Sequence, residues 1–257
     1  MMSFNFEPIG WLKTPFVDKF GTPRQGHLVP AASAHVQWAP GTSPEQWLQG
    51  LSGFSHVWLI SVFHENLGKM IPTKVHPPRL GGRSVGVLAS RSPHRPNPIG
   101  LTLARVVGVQ GRDLILNEVD LLDDTPILDI KPYITECDRV DRARGGWVDE
   151  NPWPRLPVFF SREAEKGLLR VYQLAPPPMS LPQLRQLIQQ SLASDPRAVA
   201  DREEAIRPDG RPRWFWLRLF DIDVGFFFST RGVEVAEVRF ALASALYARF
   251  EQQDQQA

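Results

Sequence analysis

Three prolines in one short stretch constrain this chain more than any other feature. Ser90 to Leu101 reads Ser-Arg-Ser-Pro-His-Arg-Pro-Asn-Pro-Ile-Gly-Leu, with Pro93, Pro96 and Pro98 at close intervals. Each ring fixes φ and removes a backbone donor, which excludes regular helix and central strand. Each also forces the residue before it, here Ser92, Arg95 and Asn97, toward extended backbone. A stiff polar loop results, rich in Arg, His and Asn side chains. Apolar runs flank it, Ser84 to Ala89 before and Leu101 to Val109 after, and both read as strands. A rigid polar loop held between strands is a common place for function, although proline-rich surface loops without a role are also common.

The remaining punctuation extends the same pattern. Glu7 to Thr14, Ala34 to Trp38, His56 to Phe63, Leu114 to Leu122 and Ile127 to Ile130 read as further short strands. The run His56 to Phe63 is almost continuously apolar and fits a buried strand. Ser43 to Leu51 carries a helix start, with Ser43 as cap and Pro44 at the first helical position, and Gly53 ends it. Regularly spaced short strands with turn signals point to an all-β barrel or sandwich. Trp147 to Pro157, with Asn-Pro-Trp-Pro-Arg-Leu-Pro, reads as a linker. Beyond it Ser161 to Tyr172 and Leu181 to Leu192 are helical, and Trp214 to Asp221 and Val233 to Phe240 are strands. The expected organisation is therefore a mainly β domain over residues 1–150 and a small α+β domain over 151–257, with a frayed tail from Gln252.

Net charge is only +1, so no global field argues for a nucleic-acid partner. The local pattern says more. Lys69, Lys74, Arg79, Arg83, Arg91, Arg95, Arg105 and Arg112 fall between Asn66 and Arg112 without one acidic residue. Asp113, Glu118, Asp120, Asp123, Asp124 and Asp129 then precede Lys131. The basic arm suits phosphates, and the acidic arm suits a cationic or hydroxyl-bearing ligand. Two solvated faces that pair with each other would give the same pattern.

Several common chemistries lack their marks. Cys137 is the single cysteine, which leaves no internal disulfide and no cysteine-based metal site. His27, His35, His56, His64, His76 and His94 show no zinc spacing, and no metal is expected. Ser92 beside His94 has no orienting acid to make a triad. No nucleophile elbow, Walker loop or dinucleotide fingerprint is present. Asp123 and Asp124 could cap their own turn or hold ribose hydroxyls. The N-terminus lacks a secretory pattern, and no apolar run reaches membrane-span length, so a soluble cytoplasmic protein is the simplest expectation.

Six ordered segments carry a resemblance. They are Lys19-Phe-Gly-Thr-Pro-Arg-Gln25, Gly53-Phe-Ser-His-Val-Trp58, Phe63-His64, Arg79-Leu-Gly-Gly82, the stretch Arg91 to Leu101, and Asp120 to Tyr133. In this order they resemble the TrmO (TsaA-like, YaeB) family over roughly the first 135 residues. Asp195-Pro-Arg197 and Asp221 to Val224 resemble its bacterial C-terminal domain loosely. The resemblance implies a single-sheet β-barrel that binds S-adenosylmethionine and methylates the N6 atom of threonylcarbamoyl-adenosine beside the tRNA anticodon. It further implies a homodimer with the cofactor near the subunit interface. Carried over by motif, Pro23, Arg24, Gln25, His64, Glu65, Arg91, Leu101, Asp123, Asp124, Thr125 and Pro126 surround the cofactor. Lys69, Lys74, Arg83, Arg95 and Asn97 would face tRNA, and Asp124, His94 and His64 are the candidates for handling the acceptor proton. Asp124 departs from the family's usual glycine, at a turn where φ > 0 is expected and where Asp is one of the few tolerated replacements. Two other classes stay open: a non-catalytic barrel that senses S-adenosylmethionine or RNA, and a methyltransferase for a small metabolite.

Overall fold

The computed structural model describes residues 4–197 and 211–247. The Gln-rich tail from Gln252 lies outside the described residues. Two compact units emerge, one of residues 1–14 and 24–153, the other of residues 15–23 and 154–257.

In the first unit, β1 (Gly10–Lys13), β2 (Ala34–Trp38), β3 (His56–Val62), β6 (Ile99–Gln110), β7 (Asp113–Asn117) and β8 (Thr125–Pro132) close a barrel in the order β1-β2-β7-β6-β3-β8. The expected mainly β fold with a barrel is thus the observed one. Every pairing around it is antiparallel. Strand geometry sends alternate side chains to opposite faces, and closure puts one set inside. Leu12, Val36, Val57, Leu59, Ala104, Leu114, Leu116 and Ile127 form that interior and are all buried. Closure also leaves no barrel edge to template aggregation. The run His56 to Phe63 is not buried on both faces, as its apolar continuity suggested. Its burial alternates, because only one face of β3 lines the interior.

Between β3 and β6 the chain makes an excursion that carries a small hairpin, β4 (Lys74–Val75) and β5 (Val85–Gly86). The expected strand Ser84 to Ala89 shrinks to β5, because a 3-10 turn at Val87–Ala89 follows at once. The helix expected over Ser43 to Leu51 is a single turn, α1 (Pro44–Trp47). Ser43 makes no side-chain cap bond, and Gly50 at φ +84° breaks the chain before Gly53 is reached. The expected strand Leu114 to Leu122 stops at Asn117, where Glu118 turns to φ +63°. A second single turn, α2 (Thr135–Asp138), follows β8.

The second unit has a four-stranded sheet in the order β10-β11-β12-β9, from β9 (Val158–Phe160), β10 (Trp214–Leu219), β11 (Ile222–Ser229) and β12 (Gly232–Phe240). β9 joins in parallel to β12. α3 (Arg162–Leu174) starts where expected, with the Ser161 hydroxyl accepting from the Ala164 N–H. α4 (Leu181–Ala193) buries Leu184, Leu187, Ile188 and Leu192 completely, the face its periodicity marks. β9 and β11 were missed. β9 is only three residues long, and β11 is apolar at nearly every position, so neither shows alternation. Segment 15–23 packs into this unit: Phe20 stacks on Phe215 and Phe226, and the Phe220 N–H donates to the Pro15 carbonyl at 2.9 Å.

Candidate functional site at one rim of the barrel

Register alone gathers one set of strand ends. Val62 at the end of β3 pairs with Ile99 at the start of β6. Leu12, near the end of β1, pairs with Thr125, the first residue of β8. Lys13 pairs with His35 near the start of β2, and Ala34 pairs with Leu116 near the end of β7. Lys13, Thr14, His64, Glu65, the proline loop, Glu118 to Asp120 and Asp123 to Pro126 therefore share one rim. The expected cofactor residues of the first unit, scattered over a hundred positions, converge there with the exception of Leu101.

The acidic turn before β8 is fastened to the end of β1. The Thr14 N–H donates to Asp123 Oδ1 at 2.9 Å, and the Thr14 hydroxyl to the Leu121 carbonyl at 3.0 Å. Lys13 Nζ lies 2.5 Å from Asp124 Oδ1 and 3.6 Å from Asp123 Oδ2. The hydrogen bond to Asp124 raises the Lys13 pKa above its usual value. Asp124 sits at φ +57°, the left-handed conformation expected at this position. The Thr125 hydroxyl donates to the Leu122 carbonyl at 2.7 Å, which closes the turn on itself.

Asp120 anchors the adjoining part of the rim. Its Oδ1 accepts the Thr102 hydroxyl at 2.5 Å, and its carboxylate also accepts the backbone N–H groups of Asp120 and Gly26. Burial raises its pKa to about 6, against the opposing pull of those donors and of the Arg91 charge. Gly26 must be glycine here, because a Cβ would meet the Glu118 carbonyl oxygen. Beside it Arg91 Nη1 donates to Gln25 Oε1 at 2.9 Å, and Gln25 Nε2 to the Arg24 carbonyl at 2.6 Å. Arg91 and Gln25, distant in sequence, thus meet next to a desolvated carboxylate. Asp120, Thr102 and Lys13 were not among the expected site residues. Their one sequence signal was position: Asp120 opens the acidic turn, and Thr102 has the inward phase of β6.

The proline loop is braced by its own serines. The Ser90 hydroxyl donates to the Val87 carbonyl at 2.8 Å, and the N–H groups of Ser92 and His94 donate to the hydroxyls of Ser90 and Ser92, each at 3.3 Å. Arg95 Nη1 reaches the Ser90 carbonyl at 3.4 Å. The loop returns to the barrel where the Phe63 N–H donates to the Pro98 carbonyl at 2.7 Å. A Cβ at Gly100 would run into Ser61 Oγ and the Phe63 ring, so this glycine permits the close seat. Ser61 Oγ is itself buried without a hydrogen-bond partner among the described residues.

Other expected residues lie elsewhere. Leu101 stands on the outer face of β6, 51% exposed beside Ile99, with Thr102 turned inward. His94 and Asn97 are exposed on the proline loop at the rim, whereas Lys69, Lys74 and Arg83 are exposed on the excursion. Arg105 pairs with Glu118 at 3.3 Å. Pro23 ends segment 15–23 of the second unit. Among the described residues no group of three His, Cys, Asp or Glu side chains could hold a metal. Among the same residues no helix is long and apolar enough to cross a membrane.

The donor set fits S-adenosylmethionine. Arg91 matches a carboxylate, and Asp123 and Asp124 match an ammonium or ribose hydroxyls.

Comparison with known proteins gives the same answer. Residues 11–139 match the family model described as the tRNA-methyltransferase O N-terminal domain, and residues 154–241 match the TrmO C-terminal domain. The tRNA (adenine(37)-N6)-methyltransferase of Escherichia coli strain K12 is 36% identical over 237 residues, which cover 88% of this chain and 97% of that protein. A Pyrococcus abyssi protein named as a probable S-adenosyl-L-methionine-binding protein is 36% identical over 146 residues, 57% of this chain and 77% of its own length. The crystal structure of TrmO from Pseudomonas aeruginosa superposes with a TM-score of 0.74 at 34% identity, over 92% of this chain and 98% of that one. With both halves of the chain matched in order, on a barrel fold shared with TrmO, the chain belongs to the TrmO family.

Proposed function

We propose that this chain is an S-adenosylmethionine-dependent methyltransferase that modifies N6 of adenosine 37 in tRNA, next to the anticodon. The observation that carries it is the rim, where Gln25, Arg91, Asp120 and the turn Asp123 to Pro126 meet in a family whose E. coli member bears that name. The cofactor, when bound, supplies an electrophilic methyl group on a sulfonium. The work left to the chain is to hold and orient.

Arg91, fixed by Gln25, presents a guanidinium to the cofactor's carboxylate. Asp123 holds its turn through the Thr14 N–H on Oδ1, and Oδ2, which faces Lys13 at 3.6 Å, would meet a ligand's ammonium or ribose hydroxyl only by sharing or displacing that lysine. His64 and Glu65, in the 3-10 turn after β3, sit at the same rim. Orientation of this kind is worth several kcal/mol, because it replaces a bimolecular encounter by a positioned one. An acceptor nitrogen that carries a carbonyl substituent is a weak nucleophile, and a nearby group that accepts its proton accelerates transfer. Asp124 and His94 are the candidates. Asp124 already accepts a hydrogen bond from Lys13, and His94 stands on the loop surface. Lys74, Arg83, Arg95 and Asn97 supply cations and an amide for the anticodon arm. The acceptor is read as threonylcarbamoyl-adenosine, the chain as a homodimer, and its place as the cytoplasm, where tRNA is modified. Titration calorimetry with S-adenosylmethionine tests the site. Arg91→Ala is expected to weaken binding at least tenfold, with the fold intact by circular dichroism. Unaltered affinity would remove Arg91, and the rim with it, from the cofactor site.

A further inference from the structure

The segment between the two family models, residues 140–153, is matched by neither. Its proline-rich part read as a linker, yet most of it is a strap on the first unit. It leaves α2, which is tied to the barrel end opposite the rim: Trp58 Nε1 and the Ile134 N–H both donate to Asp138 Oδ2, at 3.2 and 2.8 Å. It then reaches the basic excursion, where Trp147 Nε1 donates to the Ala89 carbonyl at 2.9 Å, two residues before Arg91. Between these two attachments the chain turns at Asp141–Arg142, with Arg142 in the left-handed region, before the 3-10 turn Gly146–Val148.

The strap is clamped at that point. The Arg79 guanidinium lies 5.3 Å from the Trp147 ring centre and 4.4 Å from that of Trp153. Asn151 Nδ2 donates to the Trp147 carbonyl at 2.7 Å, and the Gly145 N–H to Asp149 Oδ2 at 2.7 Å. Arg79 has Nε buried without a hydrogen-bond partner among the described residues, and burial lowers its pKa. Such a desolvated cation would be costly without the two indole faces beside it. The clamp therefore anchors Trp147, the residue that follows the tip segment Arg142-Ala-Arg144-Gly-Gly146, on the excursion that also carries Lys74 and Arg83.

Charges at the tip are left over after internal pairing. Arg139 is taken by Asp141 at 2.8 Å. Arg142, at φ +59°, and Arg144 are exposed, and no carboxylate among the described residues pairs with either. Lys74 and Arg83 are likewise exposed without a carboxylate partner among those residues. Trp147 is within five residues of both tip arginines, and Arg79 within five of Arg83 and Lys74. All four cations thus lie within chain reach of one clamp. Exposed cations without carboxylate partners, on segments joined at an aromatic clamp, have the chemistry of a phosphate-backbone contact.

We infer that the strap tip, through Arg142 and Arg144, binds backbone phosphates of the tRNA anticodon arm and extends the basic excursion into one continuous contact. This rests on the tRNA reading above. The aromatic clamp acts as the positioning device, and the arginines touch RNA.

The test uses the full-length protein and unmodified and modified tRNA. Binding is measured over a series of salt concentrations, alongside the KM for tRNA and the Kd for S-adenosylmethionine. Arg142→Ala with Arg144→Ala is expected to raise the tRNA KM about tenfold or more. It should also flatten the plot of log K against log salt by about 2, one unit per lost phosphate contact. The Kd for S-adenosylmethionine should not change. Arg142→Lys with Arg144→Lys is expected to restore the slope. An unchanged slope and KM in the alanine variant would overturn the inference while leaving the enzyme reading intact, as would a slope that lysine fails to restore. A wild-type protein that binds S-adenosylmethionine but neither binds nor methylates tRNA would overturn the tRNA reading itself.

Discussion

Asp120 shows how a residue acquires properties that its neighbours in sequence do not announce. Sequence places it at the head of an acidic turn, as one carboxylate among several. Only barrel closure brings Thr102 and Gly26 to it, from eighteen and ninety-four positions away, and strips its water. Asp124 is the opposite case. Its left-handed backbone was legible, because a family glycine marks φ > 0 and Asp tolerates it. The burial of Asp120 has a consequence for stability. Its folded pKa, about 6, lies above the usual 3.8, so the folded state holds the proton more tightly than the unfolded state. Stability is then greatest at low pH on this group's account and falls as pH rises from about 4 to about 6, by of order 2–3 kcal/mol. Above that window both states are ionised and the loss is complete. Asp120→Asn removes the titration, whatever constant offset the amide adds. The difference in unfolding free energy between the Asp120→Asn variant and wild type, measured by urea titration at pH 4.5 and pH 7.5, should shift by about 2 kcal/mol in favour of the variant at the higher pH. A difference independent of pH would mean that the carboxylate is not desolvated.

At the scale of elements, the strands were legible wherever polar and apolar positions alternate or turn residues bound them. β2 and β3 fall within a residue of their expected limits, and α3 and α4 start at theirs. The failures have one cause, that short-range signals lose to long-range pairing. Ser43 and Pro44 announce a helix, but Gly50 turns the chain before a second turn can form. Leu114 to Leu122 is apolar enough for a longer strand, but its partner β2 begins at Ala34 and pairs no further than Leu116. Trp147 to Pro157 has a linker's composition and contains the division between the two units after Trp153, although Arg79 also engages Trp147 and Trp153. Packing between elements also explains the glycines of β6. Gly100 is pressed against Ser61 and Phe63, whereas Gly108 has open space around it. Gly100→Ala is expected to cost about 1–3 kcal/mol through overpacking, while Gly108→Ala should be neutral or slightly stabilising. Chemical denaturation of the two variants side by side checks this, and equal effects would contradict the close seat of β3 on β6.

For the whole molecule, the sequence predicts a barrel but not its strand order. Nothing local says that β1 pairs with β8, more than a hundred residues away, or that residues 15–23 pack with the second unit. Both facts depend on contacts that no window of the sequence contains. The rim is the product of that closure, and it brings together Gln25, His64, Arg91 and the acidic turn Asp120 to Pro126, which are far apart in sequence. A net charge of +1 conceals the two charged arms, which meet where Arg105 pairs with Glu118 and where the Arg91 charge acts on Asp120. The central claim joins these levels: the rim holds S-adenosylmethionine, and the chain passes its methyl group to tRNA beside the anticodon. The most direct measurement incubates the full-length protein with methyl-labelled S-adenosylmethionine and two tRNA pools that differ only in threonylcarbamoyl modification at adenosine 37. Transfer of label to the modified pool alone, recovered on N6 of that nucleoside after digestion, is the predicted result. Label in neither pool, with cofactor binding intact by calorimetry, would contradict it.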